Sequence, residues 1–258
     1  MGLLMGCTEN LVTGRKQLSL VSEPELQAMA SQEYKTFLTE NKVVYANINK
    51  DAEMVQRVGR RIAVAIQTYY DNKGQSVVLD GFQWEFNLID NKEANAWCMP
   101  GGKVVVYTGL LPISKNEAGL AIVIGHEIAH AVAQHGSERM SQALLQQFGG
   151  MALQVALANK PTETQNLFMT AYGIGSTVGG ILPFSRKEEE EADQYGLYFS
   201  AMGGYNPQEA IPFWERMMAA GGGQPPEFLS SHPSDENRIA KIKTYMPQAL
   251  RFYKPIKR

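Results

Sequence analysis

The sequence predicts an α+β fold, mostly α-helical, with one small antiparallel sheet. Three patterns lead to it. Apolar residues recur at helical spacing through 51–70 and through most of the chain after residue 117. Trp84-Glu85-Phe86-Asn87-Leu88-Ile89 alternates apolar and polar, as a half-buried strand does. Asn95–Met99 and Lys103–Tyr107 read as two further strands, and Pro100-Gly101-Gly102 between them is a turn signal, so they form a hairpin. With 258 residues, 44% of them hydrophobic and 19% charged, the chain can bury a full core as an ordinary folded protein. A formal net charge of −2 carries no electrostatic footprint for nucleic acid.

Taken in order, residues 1–21 form an N-terminal tail, polar and irregular from residue 8, and 22–258 form a single domain. Helical patterning starts at Ser22-Glu23-Pro24-Glu25, where Ser caps and Pro occupies the first turn. A second helix covers about Asp51 to Tyr70, with Met54, Val55, Val58, Ile62, Ala65, Ile66 and Tyr69 on its apolar side. The sheet follows. Ser114-Lys115-Asn116-Glu117 has the form of a capping box and opens a helix that is apolar on nearly every side from Ala118 to Ala133. Later breaks fall at Gly149-Gly150, Asn159-Lys160-Pro161, Gly179-Gly180, Gly203-Gly204 and Gly221-Gly222-Gly223. The basic end, Arg251 to Arg258, reads as a solvated tail. No uninterrupted run reaches the roughly eighteen apolar residues of a membrane span.

Within the apolar helix stand His126-Glu127-Ile128-Ala129-His130. Positions four apart share a helix face, so the two imidazoles can grip one metal ion, and Glu127 can reach a water bound to it. Burying two His and a Glu there is costly unless something satisfies them, and a metal does. A catalytic zinc site needs a third protein ligand and an open position. His135, His232 and the acidic run Glu188-Glu189-Glu190-Glu191-Ala192-Asp193 are the candidates. On a continuous helix His135 falls half a turn out of phase with His126, pointing away from the metal face in a structural role. The acidic run fits a solvated first turn favouring the helix dipole. Glu189 and Asp193 nevertheless share a face, so one could bind metal while the other holds a ligating His. Spacing leaves Glu188, Glu189 and Glu190 open. The two cysteines, Cys7 and Cys98, make no Cys-x-x-Cys pair, which argues against a thiolate zinc site.

Asn95-Ala96-Trp97-Cys98-Met99-Pro100-Gly101-Gly102, His126–His130, Ser185–Asp193 and Ser231-His232-Pro233 with Arg238-Ile239 together resemble the M48 family of zinc metallopeptidases, in its soluble bacterial periplasmic lipoprotein branch. The resemblance implies a zincin-like (gluzincin) domain with the sheet beside the active-site helix. It implies one Zn2+ per chain on His126, His130 and Glu189, with Asp193 orienting a ligand and Glu127 as general base. His232 is expected near the metal, as oxyanion stabiliser or as an inhibitory ligand. Asn95, Ala96, Trp97 and Gly102 are expected to bind substrate along an edge strand, with Trp97-Cys98 standing where relatives often have Phe-Ala. Residues 140–183 look like a helical hairpin over the cleft, where membrane relatives have spanning helices. Leu4-Met5-Gly6-Cys7 resembles the lipobox before a lipidated cysteine, which implies a cell-envelope, periplasmic, lipid-anchored protein. The expected activity is zinc-dependent endopeptidase action on extended or misfolded envelope proteins. The competing reading is a chaperone or assembly factor with a latent metal site. A deformylase-like hydrolase is disfavoured, because no cysteine lies where its third ligand belongs.

Overall fold

The computed structural model describes residues 7–148, 161–172, 174, 183–220, 226–233 and 237–256. Strands β1 (Cys7–Glu9) and β2 (Lys16–Leu18) pair antiparallel ahead of α1 (Glu23–Glu40). Next come β3 (Val43–Val44), α2 (Lys50–Asn72), β4 (Glu85–Ile89), β5 (Ala96–Met99) and β6 (Lys103–Tyr107). The short α3 (Leu111–Ser114) leads into α4 (Glu117–Val132), α5 (His135–Phe148) and α6 (Pro161–Ala171). The chain closes with α7 (Arg186–Met202), α8 (Ala210–Ala219), α9 (Glu227–Ser231) and α10 (Arg238–Phe252). The α+β, mostly helical class follows directly from the sequence patterns.

Ser22 caps α1 in a capping box with Glu25 and with Pro in the first turn, as its sequence requires. At α4 the predicted cap moves by two residues. Lys115 takes a left-handed conformation (φ 64°), which ends α3 at Ser114, and the Asn116 side chain accepts from Gly119 N–H as the true cap.

The four-stranded sheet runs β3-β4-β6-β5 and is mixed, which corrects the all-antiparallel expectation. The hairpin β5–β6 is antiparallel as predicted, with Ala96 opposite Val106, but it folds back so that β6 lies beside β4, parallel to it. The β6 run Val104-Val105-Val106 is fully buried, the pattern of a strand covered on both faces. Phe86, Leu88, Ala96, Cys98, Val104 and Val106 pack with α2, α4 and α7 in one core. Trp97, Met99, Val105 and Tyr107 point the other way into a second core with α1, α5 and α6. Strand β5 is left at the sheet edge, facing α4.

Helix α4 is the centre of the molecule, buried at every position from Gly119 to Val132. It lies close against α7 because both helices carry glycine where they meet. A Cβ on Gly196 would stand 2.7 Å from the backbone N and Cα of His126. Ser200 Oγ donates to the Ala121 carbonyl at 2.7 Å across the same contact.

Residues 7–18 form a strand pair, contrary to the irregular segment expected from residue 8. The side-chain amides of Asn10 and Gln17 both donate to the Ala133 carbonyl, each at 2.9 Å, and so satisfy an orphan acceptor at the end of α4. At the other end, helix α10 extends to Phe252, and Tyr253 and Ile256 pack on the core, so the basic end is less solvated than its charge suggests. Helices α5 and α6 pack together as a hairpin, although its Asn159-Lys160 link lies outside the described residues, as do the glycine breaks at 149–150, 179–180 and 221–223. No described helix is long and apolar enough to cross a membrane.

Candidate metal centre

Helix α4 presents His126 and His130 one turn apart, α7 supplies Glu189, and the residue just after α9 supplies His232; all four are buried. One donor atom from each lies within 4.8 Å of all the others. His126 Nε2 is 3.0 Å from His130 Nε2 and 3.3 Å from His232 Nδ1. Glu189 Oε1 is 3.2 Å from His130 Nε2 and 2.9 Å from His232 Nδ1, and its Oε2 is 3.5 Å from His126 Nε2. With metal–nitrogen bonds of about 2.0–2.1 Å, the edge of a tetrahedral donor set is about 3.3 Å. The observed separations bracket that value. Glu189 Oε2 is buried and makes no well-formed hydrogen bond, its neighbours being the Arg238 guanidinium at 3.1 Å and His126 Nε2 at 3.5 Å. The donor set fits a metal ion.

Electrostatics agree with the geometry. Burial works against a charged His126, but Glu189 and Asp193 outweigh it and hold its pKa at about 9. Burial likewise opposes the Glu189 anion, and His232 and His126 override it, keeping the carboxyl well below its ordinary range. His232 is pushed down to about 4, chiefly by burial. The site thus keeps an anionic carboxylate at its centre.

Around this set lie groups that fix it. Asp193 Oδ1 is 3.1 Å from His126 Nδ1, off the ideal hydrogen-bond axis but in contact. Arg238 Nη2 reaches Asp193 Oδ1 at 2.7 Å and Glu189 Oε2 at 3.1 Å, while its guanidinium lies 3.4 Å over the Trp214 ring. Phe184 stacks on His130 at 3.9 Å between ring centroids, with the Arg139 guanidinium 3.7 Å over its other side. The sequence marks Arg238 only as part of the family resemblance and gives no sign of Trp214 or Phe184, because their roles depend on chain crossings far apart in sequence.

The acidic run proves to be four separate devices rather than a solvated turn. Glu188 closes a capping box with Ser185, Glu189 joins the metal cluster, and Glu190 accepts from Lys241 Nζ and Tyr245 Oη. Glu191 accepts from Arg15 Nε at 2.9 Å and lies 3.0 Å from His135 Nε2.

His135 is not among the converging donors, as expected, but it touches one of them. It is fully buried, and its Nδ1 lies 2.9 Å from His130 Nδ1. The phase argument fails because α4 and α5 are not one helix: Gln134 takes a left-handed conformation (φ 59°) and redirects the chain.

Glu127 points to the sheet side. Burial pushes its pKa up to about 8, and the Cys98 backbone N–H faces its carboxylate. Its Oε1 has no hydrogen-bond partner and stands 3.5 Å from His232 Nε2.

The four residues expected to meet substrate lie at different places on the sheet. Asn95 and Ala96 lie at the start of edge strand β5, beside the site. The Trp97 side chain faces the second core, its ring 4.9 Å from that of Phe37, so it is removed from the cleft by the pleat of β5. Gly102 sits in the hairpin turn at φ 83°, its carbonyl bonded to Glu85 N–H, and serves the sheet. Cys98 is free and buried.

Residues 49–246 match Peptidase family M48. The chain is 34% identical over 241 residues to mitochondrial metalloendopeptidase OMA1 of Schizosaccharomyces pombe, covering 92% of this chain and 66% of that one. It is 32% identical over 248 residues to the human metalloendopeptidase OMA1, covering 93% and 46%. To the beta-barrel assembly-enhancing protease of Escherichia coli it is 34% identical over 167 residues, covering 62% and 34%. The chain therefore spans from a third to two thirds of the length of these relatives.

Proposed function

The chain belongs to peptidase family M48, and from that premise we propose that it is a zinc-dependent endopeptidase acting on extended or misfolded proteins of the bacterial cell envelope. The observation that carries this reading is the convergence of His126, His130, Glu189 and His232 on one buried point, with the unpartnered Oε1 of Glu127 beside it. His126, His130 and Glu189 would hold the zinc ion, which would supply a Lewis acid for the scissile carbonyl and for water. Glu127 takes the water proton and returns it to the leaving amine. Substrate would lie extended along the edge strand β5 at Asn95 and Ala96, held by main-chain hydrogen bonds, a mode that reads backbone and suits unfolded chains.

His232 supplies a fourth protein donor, which fills the position a catalytic site must keep open. We assign it an inhibitory role in this closed arrangement. Release requires the segment bearing His232 to swing out. Because Phe184 N–H donates to the Ser231 carbonyl at 2.9 Å, the ring covering His130 is tied to that segment. The lipobox-like Leu4–Cys7 supports attachment to the envelope membrane, and the bacterial relative named for β-barrel assembly supports substrates there; the OMA1 relatives are named mitochondrial. The occupied fourth position also favours a second reading, an assembly factor whose peptidase site stays latent. Cleavage of unfolded casein by the purified chain, abolished by a chelator and restored by zinc, tests the first reading. A zinc-loaded protein that leaves casein intact, even with His232 substituted, overturns it in favour of the second.

A further inference from the structure

His130 is held at both ring nitrogens. Its Nε2 faces the metal cluster, and its Nδ1 lies 2.9 Å from Nδ1 of His135. His135 is fully buried, and its Nε2 lies 3.0 Å from Glu191 Oε2. Glu191 in turn accepts from Arg15 Nε at 2.9 and 3.2 Å. The two remaining nitrogens of Arg15 grip Glu138 in a fork, at 2.9 and 2.6 Å. Arg15 sits in the turn of the β1–β2 hairpin, whose Asn10 and Gln17 also hold the end of α4 through the Ala133 carbonyl.

Resting on the metal reading above, we propose that His135 is a positioning residue for the ligand His130, and that the N-terminal hairpin completes its support through Arg15 and Glu191. The proton inventory of the chain allows one arrangement once Nε2 of His130 is a ligand. A neutral imidazole bound through Nε2 carries its proton on Nδ1, so that nitrogen donates. His135 Nδ1 must then accept, which places the His135 proton on Nε2. There it meets the Glu191 carboxylate, an acceptor held in place by Arg15. Every donor finds an acceptor along the line from metal ligand to hairpin.

The line differs from the support of His126, whose Nδ1 contacts the carboxylate of Asp193 directly. For His130 an imidazole stands between ligand and carboxylate, and the carboxylate is anchored to a segment more than a hundred residues distant in sequence.

Zinc affinity, measured by competition with a chromogenic chelator on the full chain, tests this without recourse to activity. Loss of such outer partners typically weakens metal binding by about 10–100-fold. His135→Phe should fall in that range, while His135→Gln, whose amide oxygen can still accept from His130 Nδ1–H, should recover most of the loss. Arg15→Gln and Glu191→Gln lie outside the core and should each weaken binding several-fold. All three positions should also alter the visible spectrum of the cobalt-substituted protein, which a packing defect remote from the ligands would leave alone. Should His135→Phe fail to fold, the Arg15 and Glu191 variants decide: wild-type affinity and spectrum in both overturn the proposal. Equal losses in His135→Phe and His135→Gln overturn it as well. A wild-type chain that binds no zinc would instead remove the metal reading on which the proposal stands.

Discussion

His232 Nε2 lies 3.5 Å from Glu127 Oε1, so the residue that fills the fourth metal position also stands where the general base would meet its water. Under the proposed mechanism one side chain would therefore block two functions. Replacing it separates them. His232→Ala should raise casein turnover several-fold while weakening zinc binding, because a donor is removed along with the obstruction. Steady-state cleavage and chelator competition on the same preparation check both effects. A loss of turnover at full zinc occupancy would assign His232 to oxyanion stabilisation instead.

Glu127 is not among the converging donor atoms, yet it is buried with an unsatisfied oxygen. Glu127→Gln should therefore retain zinc and lose at least about a thousandfold in turnover, an upper-range loss for a general acid–base group combined with loss of water orientation. Metal content by mass spectrometry alongside casein cleavage separates the two. Wild-type turnover in this variant would remove the mechanism.

Glu23 gives a pH-dependent signature away from the metal. Burial pushes its carboxyl from 4.5 up to about 7, the nearby Ser137 hydroxyl offsetting this in part, and its Oε1 has no partner. The folded state prefers the protonated form. The stability this contributes is complete below about pH 4.5 and is lost as pH rises through 7. A shift of this size is worth about 3 kcal/mol. Glu23→Gln should thus raise Tm at pH 8 and change it little at pH 5. Thermal unfolding of both proteins at the two pH values checks the sign, since the metal ligands titrate identically in each. A Tm gain confined to pH 5 would contradict it.

Much of this centre is legible in the sequence because its parts are local. His126 and His130 share a face through helical spacing alone, and the hairpin around Pro100-Gly101-Gly102 follows from turn chemistry. The partners of Glu190 and Glu191 are not legible, since each is chosen by a different crossing of the chain, α10 and the β1–β2 hairpin, whereas Ser185 and Glu188 stand at capping-box spacing. His135 is misplaced by periodicity for a local reason. Nothing in Ala133-Gln134 announces a left-handed break in the way glycine or proline would. The parallel pairing of β4 with β6 is hidden likewise, because strand order depends on which edge the hairpin reaches.

The contact between Gly125 and Gly196 sets how closely the two metal-bearing helices approach. A Cβ at Gly196 would stand 2.7 Å from His126 N and Cα and 2.9 Å from the Gly125 carbonyl carbon, all backbone atoms that cannot turn aside. The helices must separate to accept it. Overpacking of this kind costs about 1–3 kcal/mol, or roughly 3–10 °C in Tm for a chain of this size. Separation also has a chemical consequence, because α4 carries His126 and His130 while α7 carries Glu189 and Asp193. Gly196→Ala should therefore weaken zinc binding by more than its stability loss explains, measured by chelator competition well below the melting range. The chain would then lose metal while still folded. A variant with lowered Tm and unchanged affinity would show that the donor set tolerates the shift, and that the glycines serve packing alone.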